Sequence, residues 1–139
     1  IDFITDEADI DAILQDAHSC VISDSTYPTT GMLHPRVYGT FTTLLEHFVR
    51  EKQVLSVEAA VQKCTGLPAA VMGLRQKGVL APGMDADVNV FDLARIHTNA
   101  TYRQPAQVSS GMDAVLVNGK PAILDGDLTG ITNGTVLRR

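Results

Sequence analysis

At 139 residues, with 45% hydrophobic and 19% charged side chains, the chain is long and apolar enough to bury a core. Its formal net charge of -5, with no basic patch interleaved with aromatics, argues against nucleic acid or an anionic membrane surface as partner. No apolar run approaches the roughly 18 residues that span a bilayer.

The opening, IDFITDEAD, is acidic where a signal peptide needs positive charge, so none is expected. It also starts on Ile1 rather than Met, which leads to the expectation of a fragment or processed product. Cys20 and Cys64 stand singly in apolar contexts. Both are expected as buried thiols of a cytoplasmic protein, without a disulfide or a zinc-finger spacing.

In chain order, Thr5 followed by Asp6 and Glu7 predicts a capped helix start, and Ile10, Ile13, Leu14 and Ala17 give it one apolar stripe. The continuous run Cys20-Val21-Ile22 predicts a parallel strand covered on both faces, ending on Ser23 and Asp24. A polar loop with Pro28 and Gly31 carries His34, Pro35 and Arg36. At Gly39-Thr40 a helix begins, with Phe41, Leu44, Leu45, Phe48 and Val49 on one face. Ser56 predicts the cap of another helix with a stop at Gly66, and Pro68 the start of a short helix halted by Gly73.

From Gly78 the period changes. Val79-Leu80, a turn at 81–84, and the alternation over 87–91 read as strands. A polar loop spans about 97–110. Asn118-Gly119 between Ala114–Val117 and Lys120–Leu124 predicts a hairpin, and 135–137 a last strand. The first half therefore reads as αβαα and the second as antiparallel β, with a boundary near Gly78.

A buried strand ending on a carboxylate, then a loop with His and Arg, then a helix, is how α/β barrels build active sites. Spacing alone leaves a second reading open, in which Asp24 is a turn residue and Arg36 a solvated surface side chain. His18, His47 and His97 read as structural or exposed.

Residues 78–92, GVLAPGMDADVNVFD, resemble the segment that follows the catalytic barrel in amidohydrolase-superfamily enzymes. Residues 115–130, VLVNGKPAILDGDLTG, resemble the next hairpin of their small β-sandwich. SDS at 23–25, HPRVYGTF at 34–41 and the closing GTVLRR resemble one branch, the N-acyl-D-amino-acid deacylases.

The resemblance implies a (β/α)8 metal-dependent-hydrolase barrel with a β-sandwich. Residues 1–77 supply its last helix, last strand and closing helices, and residues 78–139 the C-terminal share of the sandwich. It implies zinc-dependent hydrolysis of N-acyl-D-amino acids to a carboxylate and a D-amino acid. Asp24 is then the aspartate beside the metal, which takes a proton from bound water and delivers it to the leaving amine. Arg36 pairs with the substrate's α-carboxylate, and His34 orients the loop or contacts substrate.

Two departures bear on specificity. Ser25-Thr26 stand where the family commonly has Gly after the Asp, and Thr42-Thr43 where it commonly has Pro-Arg. A catalytic zinc needs about three protein ligands. The family's other ligands belong to earlier strands, so this segment alone is expected to hold no metal and to be inactive. The apolar helix faces at 5–17 and 40–52 are expected to need cover from the rest of a barrel or a second copy. Two further readings remain from the sequence: a cyclic amidohydrolase of the hydantoinase or dihydropyrimidinase kind, and a non-catalytic binding or oligomerisation module.

Overall fold

The computed structural model describes residues 5–27 and 30–137. Ile1, Pro28 and the closing Arg138 and Arg139 lie outside the described residues.

Helix α1 spans Glu7–Gln15. Its cap is Asp6 rather than Thr5, because the Asp6 carboxylate accepts the Ala8 N–H at 2.9 Å. Ala17 lies beyond its end and is exposed. A buried lysine closes that end: Lys63 Nζ donates to the Asp16 carbonyl and, at 3.0 Å each, to the Ser19 carbonyl and hydroxyl. In this way a cation meets the negative end of the helix.

Cys20–Ile22 is not a strand. Its one ladder-like bond runs from Val21 N–H to the Lys63 carbonyl at 3.0 Å. Extended backbone becomes a strand only beside another, and no described strand lies next to it. Cys20 is accordingly exposed, contrary to the sequence reading, whereas Cys64 is half-buried with its thiol pushed up to about 11 by desolvation.

Helix α2, Arg36–Thr43, begins three residues earlier than the apolar period predicts. Pro35 has helical φ and ψ at the N-cap, and His34 and Pro35 accept the first N–H groups. The helix runs on as a π-helical segment, Leu44–Glu51, whose end is marked by Lys52 N–H on the His47 carbonyl at 2.8 Å. Ser56 caps α3, Val57–Cys64, by accepting the Ala59 N–H at 3.2 Å. Helix α4 is Gly66–Met72, so Gly66 opens a helix as well as following one. Gly73 ends it in the left-handed conformation.

Leu14, Leu44, Leu45, Val49, Ala60 and Ile96 form the buried cluster, with Ile10, Phe48, Phe91 and Met112 packed around it. Burying one such aliphatic side chain is worth roughly 1.5–3 kcal/mol, against about 0.2–1 kcal/mol for an exposed ion pair. Apolar packing therefore decides how the helices sit, and charges refine it.

Strands β1 (Val88–Phe91), β2 (Met112–Val117), β3 (Lys120–Leu124) and β4 (Asp127–Leu128) form an antiparallel sheet in that order. The β2–β3 hairpin turns on Asn118 and Gly119, with φ of 48° and 76°. Asp125-Gly126, with φ of 53° and 86°, repeats the device and creates β4, which the sequence reading lacked. Neither 79–80 nor 135–137 forms a strand, since neither meets a described partner.

The polar segment 97–110 is an excursion closed at its base by paired backbone bonds between His97 and Ser110, at 3.0 and 2.9 Å. The α2 helix and its extension hold it. Arg50 donates to the carbonyls of Leu93 and Ile96 at 3.0 and 2.6 Å, and Glu46 accepts from Thr98 N–H at 2.7 Å.

Candidate active-site mouth

Asp24 sits at the turn that follows the Cys20–Ile22 run, with φ of 45°. Aspartate tolerates this left-handed conformation better than bulkier residues do. The turn aims its carboxylate at the first residue of α2. Arg36 Nη1 lies 3.5 Å from Asp24 Oδ2, and the two side chains are 44% and 78% exposed. At that distance and exposure the pair is a loose one. Ser25, the residue standing in for the family's glycine, spans the same gap: its hydroxyl donates to the Ser23 carbonyl at 3.3 Å and the Arg36 carbonyl at 3.5 Å.

His34 precedes the helix. Its Nδ1 accepts the Arg36 N–H at 3.1 Å, and its Nε2 lies 3.4 Å from the Tyr102 hydroxyl. Desolvation, reinforced by the Arg36 charge, holds its pKa below the ordinary value of 6.5. His34 is therefore a neutral orienting group at neutral pH.

Beside these residues opens a cleft of about 670 Å³, lined among others by His34, Arg36, Thr40, Thr43, Phe48 and Tyr102. Its walls are mostly aliphatic and aromatic, with Arg36 the cation among them. An apolar slot with one guanidinium at its rim suits a ligand with a carboxylate and an apolar part.

The structure thus brings Asp24, Arg36 and His34 to one mouth. Tyr102 joins them, and sequence reasoning missed it because it lies in an aperiodic polar segment with nothing to mark it. Of the two departures in HPRVYGTFTT, Thr43 lines the cleft. Thr42 does not reach it: it is buried and bonded to Ser109 at 2.7 Å and Thr98 at 3.0 Å. Its effect on the mouth is therefore through the excursion it holds. His47 and His97 are structural ties, to Glu7 and Glu51 and to Glu46 respectively. His18 is exposed beside Asp16.

Among the described residues no group of three or more His, Cys, Asp or Glu side chains is placed to hold a metal ion. At the mouth both nitrogens of His34 are already engaged, which leaves Asp24 alone as an available ligand. The described residues do not fit a catalytic zinc.

A neutral ring, an exposed carboxylate and a guanidinium are thus gathered where an extended segment passes into a helix. The model of the amidohydrolase family matches residues 8–123, and the chain belongs to that family. Over 128 residues it is 44% identical to the N-acyl-D-aspartate deacylase of Alcaligenes xylosoxydans xylosoxydans, a match that covers 92% of this chain and 25% of the relative. The D-aminoacylase of the same organism is 39% identical over 137 residues, covering 99% of this chain and 28% of that enzyme.

The crystal structure of N-acyl-D-glutamate deacylase from Bordetella bronchiseptica superposes with a TM-score of 0.81 at 40% identity. That superposition covers 88% of this chain and 26% of the other. The Bordetella enzyme was crystallised with zinc and a phosphonate inhibitor that mimics the reaction's tetrahedral intermediate. The chain thus spans about a quarter of the length of the relatives it matches.

Proposed function

We propose that this chain is the part of a deacylase that carries the acid–base aspartate and the carboxylate-binding arginine for hydrolysis of N-acyl-D-amino acids. The observation that carries this reading is the gathering of Asp24, Arg36 and His34 at one mouth in a chain about 40% identical to three deacylases. In the proposed parent, residues 1–77 close a (β/α)8 barrel and 78–139 contribute to a β-sandwich. The parent's zinc is held by ligands other than the residues described here. The segment alone is inactive, and its location is cytoplasmic.

Amide hydrolysis needs a proton taken from the attacking water and another delivered to the departing nitrogen, and one carboxylate can do both in turn. Asp24 is assigned that work. Arg36 binds the α-carboxylate through its planar fork, and with the amide held at Asp24 and a further group held in the cleft, the D form is distinguished from the L form. The cleft takes the side chain or the acyl group.

The test is hydrolysis of N-acetyl-D- and N-acetyl-L-amino acids, the aspartate and glutamate derivatives among them, by the longest natural product of the gene. D-selective release of acetate, reduced at least about a hundredfold in Asp24→Asn, is the expected result, because general acid–base groups typically supply that much. Activity on cyclic amides alone transfers the assignment to a hydantoinase-like enzyme. Full activity in Asp24→Asn removes the aspartate from the mechanism.

A further inference from the structure

A helix leaves its first N–H groups without partners inside the helix. In α2 they are met locally. The Arg36 N–H donates to His34 Nδ1, the Val37 N–H to the His34 carbonyl and the Tyr38 N–H to the Pro35 carbonyl, each at 3.1 Å. His34 therefore serves the helix end twice, by ring and by backbone.

A ring nitrogen that accepts an N–H carries no proton, so neutral His34 holds its proton on Nε2. That nitrogen faces the Tyr102 hydroxyl at 3.4 Å, and the two rings meet edge to face, centroids 5.2 Å apart and planes at 78°. The hydroxyl is the acceptor of this long contact. It is too long to add much energy; what it fixes is direction. Tyr102 reaches the ring from the 97–110 excursion, which Glu46, Thr42 and Ser109 anchor to the same helix.

We propose that Tyr102 is a positioning residue for Arg36: it holds the His34 imidazole in the orientation and tautomer that cap α2, and so sets where the guanidinium enters the mouth. This deepens the reading of Arg36 as the carboxylate partner and rests on it. Protonation of His34 breaks the arrangement, because a second N–H then points at the Arg36 N–H at a helix end that is already positive. Among the described residues, the charged and titratable groups facing the ring are Arg36 from α2, Tyr102 from the excursion and, across the guanidinium, Asp24 from the turn.

The experiment uses the full-length gene product with N-acetyl-D-glutamate. Tyr102→Phe keeps the ring and removes the hydroxyl, and raises KM about 2- to 3-fold with kcat unchanged, the low end of what one hydrogen bond contributes. His34→Asn removes the ring that Tyr102 orients and supplies the background for the double variant, whose KM is compared with that of His34→Asn itself. In that background Tyr102→Phe leaves KM unchanged, since the ring it orients is gone. KM of the unaltered protein rises on acidification below the ordinary histidine value of 6.5, and in His34→Asn this rise is absent.

An unchanged KM in Tyr102→Phe overturns the proposal, as does an equal Tyr102→Phe effect in both backgrounds. Should the unaltered protein hydrolyse no N-acyl-D-amino acid, the functional reading fails and ¹⁵N imidazole NMR of the same protein decides this one. Nε2–H His34 at neutral pH, becoming a mixture of tautomers in Tyr102→Phe, sustains it. Identical tautomer populations in the two proteins refute it.

Discussion

Gly111 and Gly39 are both tightly packed, for different physical reasons. A Cβ on Gly111 would lie 2.4 Å from the Arg95 carbonyl oxygen and 2.6 Å from the Ile96 Cα, at a φ of +91°. Both the conformation and the obstacle are backbone, so neither yields. The left-handed conformation costs a residue with a Cβ about 1–2 kcal/mol, and overpacking about 1–3 kcal/mol more. Gly39, in contrast, has ordinary helical backbone, and its Cβ would clash with the Thr98 methyl at 2.7 Å while Ala100 Cβ and Thr43 Oγ1 lie at an ordinary contact distance of 3.6 Å. The clash there is partly offset by the roughly 1 kcal/mol that alanine gains over glycine inside a helix. Gly111→Ala is therefore expected to destabilise by roughly 2–5 kcal/mol and Gly39→Ala by about 0–2 kcal/mol. Urea denaturation of each variant checks this, and a Gly39→Ala loss equal to that of Gly111→Ala contradicts it.

Between elements, α1 is docked on the α2 extension by a charged cluster. His47 Nε2 meets Glu7 at 2.5 Å and Nδ1 meets Glu51 at 3.0 Å, while Lys52 reaches Asp11 at 2.6 Å and Glu7 at 3.2 Å. The hydrogen bonds from Glu7 and then Glu51 raise the His47 pKa above 6.5. A raised histidine pKa contributes stability that is whole below 6.5 and fades as pH climbs through the folded value. The Glu7 pKa is lowered below 4.5, first by the His47 bond, so its contribution is whole above 4.5 and fades as pH falls through the folded value. Docking is strongest between those limits. Urea midpoints measured across about pH 5 to 8 are expected to fall above pH 6.5 in the unaltered chain, by more than they do in His47→Gln. Parallel profiles refute the role. This cluster shows what the sequence leaves illegible. Hydrophobic period revealed that residues 41–49 form a helix, and Asn118-Gly119 revealed the hairpin. No pattern tells which carboxylates, 40 positions away in the case of Glu7, will meet His47. The start of α2 at Arg36 was hidden for a related reason: its cap is the ring of His34, not one of the short polar side chains by which a helix start is read.

For the whole molecule, the gathering of residues at the proposed mouth was legible where they are local in sequence, as with Asp24, His34 and Arg36, and silent where a neighbour comes from afar, as with Tyr102. The strand expected at 20–22 does not form, since no described strand lies beside it. Ile22 there is 66% exposed. The same deficit recurs across the surface. Among the described residues eighteen large hydrophobic side chains are exposed and seven hydrophobic residues are buried. Single exposed apolar residues are ordinary, but a self-sufficient chain of this size buries about two thirds of the surface its unfolded form exposes. Leu44, Leu45 and Val49 do pack inward, which covers part of the helix face expected to be bare, yet Ile13 and Phe41 on the same two helices remain exposed. The 139-residue chain in isolation is therefore expected to self-associate and to bind an apolar dye. Sedimentation velocity over a concentration series tests this, together with anilinonaphthalene sulfonate fluorescence. A sedimentation coefficient that rises with concentration, with dye bound, is the expected result. A concentration-independent monomer that leaves the dye dark would mean that these side chains find cover within the chain itself, and that the need for a barrel or a second copy is misjudged.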